Sequence, residues 1–166
     1  MPHYRPKHTR VVPARKKTIM IAMTEETTAN VDVVIVEDQP DLAEIYKTRL
    51  ELLGFKSVTA GDGLQALVAI EQHRPRLVLL DLMLPKLPGD QVLKIMRSTD
   101  WGEDVKVLII SNLNESEAPK GLHELGIEDY IVKANMTDGQ LDKIVGEILK
   151  PIGQSEDVSG LEGGDS

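Results

Sequence analysis

Asp81 ends an unbroken apolar run, Leu77-Val78-Leu79-Leu80, and the turn formers Pro85, Pro88 and Gly89 follow it closely. Other apolar runs also end on functional groups: Val33 to Val36 on Glu37 and Asp38, Val107 to Ile110 on Ser111, and Tyr130 to Val132 on Lys133. Brought together, these residues have a definite chemistry. Carboxylates gathered in a cleft repel one another unless a cation joins them, and all-oxygen donors suit Mg2+ better than zinc. An ammonium offers a point charge to phosphoryl oxygens, and a hydroxyl can donate to one of them. A carboxylate, a magnesium site, a lysine and a hydroxyl at one point are what phosphoryl transfer to an aspartate requires. Taken singly each has a plainer reading: Asp81 opens a turn, the acids are solvated loop residues, and the lysine lies on the surface.

Convergence depends on the elements that carry these residues. Short apolar runs bounded by turn signals fit strands buried on both faces, as in a parallel sheet covered by helices. Lys56 to Ala60 make a further short strand, and Val105 extends the run that ends at Ser111. Helices fill the intervals. One starts at Gln39-Pro40-Asp41, carries Leu42, Ile45, Arg49, Leu50 and Leu53, and stops at Gly54. After the turn Gly61-Asp62-Gly63 comes a helix striped by Leu64, Leu67 and Ile70 that ends before Pro75. A third runs from about Asp90 to Ser98 with Val92, Leu93 and Met96, and a fourth spans Glu117 to Leu125 before Gly126. A capping box, Thr137 with Gln140, opens the last, whose face is Leu141, Ile144, Val145, Ile148 and Leu149. Strands and helices alternating five times predict a (βα)5 doubly wound parallel sheet. Right-handed crossovers then place every strand's carboxyl end on one rim, where open α/β sheets bind ligands.

The 166 residues predict one domain over residues 31–150 with two disordered extensions, 1–30 and 151–166. There is no cysteine, which excludes disulfides, thiolate catalysis and zinc-thiolate sites, and the four histidines lack metal-ligand spacing. Residues 1–17 carry +6 with no acid among them, so the net charge of −8 leaves −14 on everything after Lys17. An acidic body argues against a nucleic-acid groove on the domain itself. The basic start is open to other readings: an arm touching nucleic acid or acidic lipid, or upstream sequence if translation begins at Met20 or Met23. No apolar run reaches membrane-spanning length, and Ile19 to Met23 is too short for a secretory signal, so the body is expected in the cytoplasm.

The segments VIVEDQ, LVLLDLMLPKLPG, VLIISN and DYIVKA, in that order, resemble the receiver domain of two-component response regulators over roughly Asp32 to Lys150. The resemblance implies a flavodoxin-like fold with strand order 2-1-3-4-5, which the pattern of runs does not itself supply. It implies that Asp81 is the phosphoacceptor, taking a phosphoryl group from a histidine of a kinase or phosphotransfer protein. Glu37 and Asp38, with Asp81 and the backbone carbonyl of Met83, would hold Mg2+. Lys133 would pair with phosphoryl oxygens, Ser111 would move toward them, and Tyr130 would swing inward behind it. Without the resemblance, Tyr130 is equally a half-buried strand residue with its hydroxyl in water. Phosphorylation would then alter the surface of the fourth helix, fifth strand and fifth helix, where a downstream protein docks.

Two positions depart from the family's commonest form. Lys133 is followed by Ala134 rather than proline, and the bond between them is expected to stay cis, despite a cost of about 3 to 4 kcal/mol, to aim the lysine. Asn112 stands where a small residue is usual and is expected to crowd the phosphoryl entrance. The chain is expected to act as a stand-alone receiver without a DNA-binding domain, and not as an enzyme beyond catalysing its own phosphorylation and dephosphorylation. Two rivals are a phosphorylation-independent interaction or dimerisation module and a haloacid-dehalogenase-type phosphatase. The first normally lacks part of the acid, nucleophile and lysine set. The second needs an aspartate two residues after its nucleophile, where this chain has Met83.

Overall fold

The structure, a computed structural model, describes residues 30–150; the expected extensions otherwise lie outside the described residues. The chain runs β1 Val33–Val36, α1 Pro40–Leu52, β2 Ser57–Ala60, α2 Gly63–His73, β3 Leu77–Leu80, α3 Gly89–Arg97 and β4 Lys106–Ser111. A 3-10 turn Glu115–Glu117, β5 Asp129–Val132, a second 3-10 turn Lys133–Asn135 and α4 Gln140–Ile148 complete it. All pairings are parallel and the strand order is β2-β1-β3-β4-β5. The doubly wound, flavodoxin-like sheet is therefore present, in the strand order that the resemblance implies.

Alternation along each buried strand divides the core into two layers. Val34, Val36, Val78, Leu80, Val107 and Ile109 face Ile70 of α2 and Met96 of α3. Val33, Ile35, Leu77, Leu79, Leu108 and Ile110 face Tyr46 and Leu50 of α1 and Leu141 and Val145 of α4. β1, β3 and most of β4 are buried throughout, which is why they read as unbroken apolar runs.

Helix faces follow the layers more closely than the stripes read from sequence. On α1 the buried residues are Ala43, Tyr46 and Leu50, while Ile45 and Leu53 are exposed. On α2, Ile70 is buried beside Ala66, and Leu64 faces outward. α3 buries Val92, Leu93 and Met96 as expected. The Thr137 cap is not formed: α4 starts from Gly139, and only the Gln140 side chain closes back, accepting from the Thr137 N–H at 3.2 Å.

The expected fourth helix, Glu117 to Leu125, is absent. After the 3-10 turn, Ala118 is extended (φ −68°, ψ 155°), as a residue before proline tends to be, and Gly121 takes φ +89°. Pro119 and Gly121 thus break the helical path before it gains a second turn, and of this segment Leu122 is buried in the core while Ala118 and Leu125 pack partly buried against it. The two ends of the segment are held. The Tyr130 hydroxyl donates to the Leu113 carbonyl at 2.9 Å, and the Arg97 guanidinium donates to the carbonyls of Leu125 and Gly126 at 2.7 and 2.9 Å. Among the described residues no helix is long and apolar enough to cross a membrane.

Candidate functional site

Parallel register places the site. Val36 pairs with Leu80, so the residues that follow, Glu37 and Asp81, emerge side by side on the rim, and Ser111 and Val132 pair at the ends of β4 and β5. One carboxylate oxygen each from Glu37, Asp38 and Asp81 lies within 4.8 Å of the others. Glu37 and Asp81 are almost fully buried while Asp38 is exposed, so the cluster opens to solvent on the Asp38 side. The donors are all oxygen and carry three negative charges, which fits the hard, oxygen-seeking Mg2+ that receiver domains bind.

Lys133 is the cation that the structure itself supplies. Its Nζ donates to Glu37 Oε2 and to Asp81 Oδ2, both at 2.6 Å, and its side chain is 8% exposed. Burial pulls the ammonium toward its neutral form, but the two carboxylates outweigh burial and its pKa is raised. Burial is also the main cause of a raised Glu37 pKa, against the Lys133 ammonium and the Gln39 N–H, which donates to Oε1 at 3.1 Å. The second Asp81 oxygen, Oδ1, accepts from the Met83 N–H at 3.0 Å. Asp81 is thereby fixed through both oxygens, and Met83 is drawn to the rim with its apolar side chain exposed.

The Lys133–Ala134 bond is trans, contrary to the expected cis geometry, and the Lys133 amine still reaches Asp81. A 3-10 turn over Lys133–Asn135, closed by Met136 N–H to Lys133 carbonyl at 3.3 Å, bends the chain immediately after β5 and does what the cis bond was expected to do. Ser111 is completely buried, and its Oγ accepts from the Leu113 N–H at 3.3 Å. Asn112, next to it, is exposed. Tyr130 is half-buried, which raises its pKa, and its hydroxyl is bonded to the Leu113 carbonyl rather than left in water. Glu37, Asp38, Asp81 and Lys133 are thus brought into one cluster, and Ser111 and Tyr130 meet at the next loop.

Sequence reasoning missed two features around the site. Tyr46 lies in the layer beneath it, and its buried hydroxyl has no hydrogen-bond partner among the described residues. Burial, against the nearby Lys133 ammonium, pushes its pKa up to about 12. A tyrosine on a helix face gives no sign of this, since the face itself was misread. The second feature is Gly89: a Cβ there would collide with the Asp81 backbone carbonyl, so α3 starts hard against the end of β3. The Pro88-Gly89 pair was read only as a turn.

A five-stranded parallel sheet in this order, with an acid cluster bridged by a lysine on its carboxyl rim, defines a receiver domain. The chain belongs to that family: the response regulator receiver domain matches residues 33–146. A protein of Porphyridium aerugineum named "Probable transcriptional regulator ycf27" is 32% identical over 130 residues, 78% of this chain and 52% of the relative. The DNA-binding response regulator MtrA of Mycolicibacterium smegmatis is 40% identical over 101 residues, 61% of this chain and 43% of the relative. The chain spans about half the length of these curated relatives or less. Among solved structures, a CheY-like receiver domain from Methylobacillus flagellatus superposes with a TM-score of 0.63 at 28% identity, covering 72% of this chain and 99% of that one. The N-terminal domain of a response regulator receiver protein from Methanoculleus marisnigri gives a TM-score of 0.56 at 30% identity, covering 72% and 97%.

Proposed function

We propose that this chain is a phosphoacceptor switch: an Asp81 carboxylate oxygen attacks a phosphoryl group carried on a histidine of a kinase or phosphotransfer protein. The new bond is Asp81 O–P, the bond that breaks is the donor's N–P, and its electron pair stays on the imidazole, which takes up a proton. The observation that carries this reading is the double anchoring of Asp81, by the Met83 N–H at 3.0 Å and Lys133 Nζ at 2.6 Å. It holds a buried nucleophile in one orientation on the open rim. Glu37, Asp38, Asp81 and the Met83 carbonyl would hold Mg2+, which neutralises charge on the transferring group. Lys133, already at Asp81, would share its hydrogen bonds with phosphoryl oxygens, and Ser111 would give them a hydroxyl.

Met83 supports a switch over a phosphatase, because its thioether cannot serve as the general acid that turnover needs at that position. Position supports the output: Ser111 ends β4 and accepts from the Leu113 N–H, and Tyr130 grips the Leu113 carbonyl, so recruiting Ser111 loosens the Tyr130 bond and reshapes residues 112–126, β5 and α4. A downstream protein would dock on that surface. A phosphohistidine donor made with ATP would be met in the cytoplasm, which supports that compartment for this role.

Incubation with acetyl phosphate and Mg2+, followed by intact-mass measurement, tests the reading. One phosphoryl group should be added to the wild type and none to Asp81→Asn; no adduct, or an adduct that survives the substitution, refutes it.

A further inference from the structure

The loop between Asp81 and Gly89 contains a strained turn that the phosphoryl chemistry does not use. Leu87 N–H donates to the Pro85 carbonyl at 2.8 Å, and Lys86 between them has φ +66°. An i to i+2 hydrogen bond across a residue of positive φ is a γ-turn of the rare, strained kind, and Lys86 is not a glycine. Such a conformation persists only where its surroundings hold it. Here the holder is visible: Lys86 Nζ donates to Asp62 Oδ2 at 2.8 Å, and the Asp62 side chain is 5% exposed.

Asp62 is itself bonded through both oxygens. Its other oxygen, Oδ1, caps α2 by accepting from the Gln65 N–H at 2.8 Å, and the Lys86 bond is the main reason its pKa is lowered. The two loops also meet through backbone. The Gly63 N–H points at the Pro85 carbonyl at 3.4 Å, and a Cβ on Gly63 would collide with the Leu87 carbonyl. At its other end the same loop delivers the Met83 N–H to Asp81 and the Gly89 N–H to the Leu82 carbonyl at 3.0 Å.

We propose that the Lys86–Asp62 ion pair is a tether that holds the β3–α3 loop in the shape the cation site needs. Lys86 and Asp62 are then positioning residues for Mg2+ binding and, through it, for phosphoryl acceptance. The Mg2+ part stands on the acid cluster; only the phosphoryl part rests on the proposed role of Asp81. Lys86 is exposed enough to be replaced without disturbing the core, and Asp62→Asn keeps a capping oxygen while losing the charge.

The test compares wild type with Lys86→Ala, Lys86→Gly, Lys86→Arg and Asp62→Asn. Calorimetric titration with Mg2+ alone gives the affinity, and metal-free hydrogen exchange at the Met83, Leu87 and Gly89 amides gives the loop's order. Loss of the tether should weaken Mg2+ about tenfold, the scale typical for groups that orient metal ligands, and speed exchange at these amides, with Lys86→Arg close to wild type. Lys86→Gly separates tether from strain, since glycine accepts positive φ freely; it should weaken Mg2+ as alanine does. Affinities within twofold of wild type with unchanged exchange in the alanine, glycine and asparagine variants overturn the tether, as does wild type that binds no Mg2+. If wild type binds Mg2+ but is never phosphorylated, the role of Asp81 fails, and the affinities and exchange rates still decide the tether.

Discussion

Lys133 is placed between two buried carboxylates, and its removal leaves them facing each other across the rim. Breaking a buried pair from one side costs far more than the net worth of the pair. Lys133→Met should therefore lose about 3 kcal/mol in denaturant unfolding with EDTA present, and Mg2+ should restore part of it. A loss below about 1 kcal/mol would mean that solvent already screens these charges. The linked pH dependence has a definite sign. Burial raises the folded pKa of Glu37, so its contribution is fully present below the unfolded value of 4.5 and is lost as pH rises through the folded value. In metal-free buffer Glu37→Gln should gain stability over wild type across that window, and a flat difference between the two would refute the raised pKa. Tyr46 is the opposite case, a polar group without a partner among the described residues. Tyr46→Phe removes the unpaired hydroxyl and should stabilise by up to about 1 kcal/mol, whereas a comparable loss would show that the hydroxyl is bonded in solution. Glu37, Asp81 and Ser111 were legible in the sequence because each directly follows a buried apolar run, Asp38 because it follows Glu37, and Lys133 because it follows the partly buried β5, and strand ends share a rim. Tyr46, Lys86 and Asp62 were not, because their roles depend on contacts between elements that no local pattern encodes.

Among the elements, β1, β3 and β4 were readable almost to the residue, since burial on both faces leaves an uninterrupted apolar signature, and the edge strands β2 and β5 were placed by shorter, partly exposed runs. The helix faces were read less well. α1 turns Ala43 and Tyr46 inward and leaves Ile45 outside, because the sheet's layers decide the rotation of a helix whose apolar residues cover more than one side. The segment between β4 and β5 was misread for a different reason. Its apolar spacing fits a helix, but Pro119 and Gly121 set the backbone, and the local conformational cost wins over periodicity. Arg97 holds the far end of that segment, at Leu125 and Gly126, and ties it to the connection between α3 and β4. Its guanidinium donates to the carbonyls of Gly102, Glu103, Val105, Leu125 and Gly126, at 2.6 to 3.2 Å, and burial lowers its pKa. Lysine cannot reproduce that fork, so Arg97→Lys should cost about 2 to 3 kcal/mol in thermal or denaturant unfolding. Faster proteolysis between residues 112 and 126 should accompany the loss. The last helix is held in a related way, with Arg76 and Lys106 donating to the Leu149 and Ile148 carbonyls at its end, at 2.9 and 3.1 Å.

At the scale of the whole domain, the sheet gathers the site from distant parts of the chain in an unequal order. Glu37 and Asp81 come together once β1 pairs with β3, and both strands precede Lys133, which lies 52 residues beyond Asp81. A chain folding from its amino end as it is made therefore assembles the β2-β1-β3 half with its carboxylates already adjacent and their ammonium still to come. Until β5 docks, a divalent ion can relieve that repulsion in place of the ammonium. Mg2+ should accordingly speed refolding of wild type in stopped-flow measurements and have much less effect on Asp81→Asn. Equal acceleration of both would point to general screening. The same ion proposed to serve signalling in the finished domain would then act earlier, as a counterion for a half-built sheet.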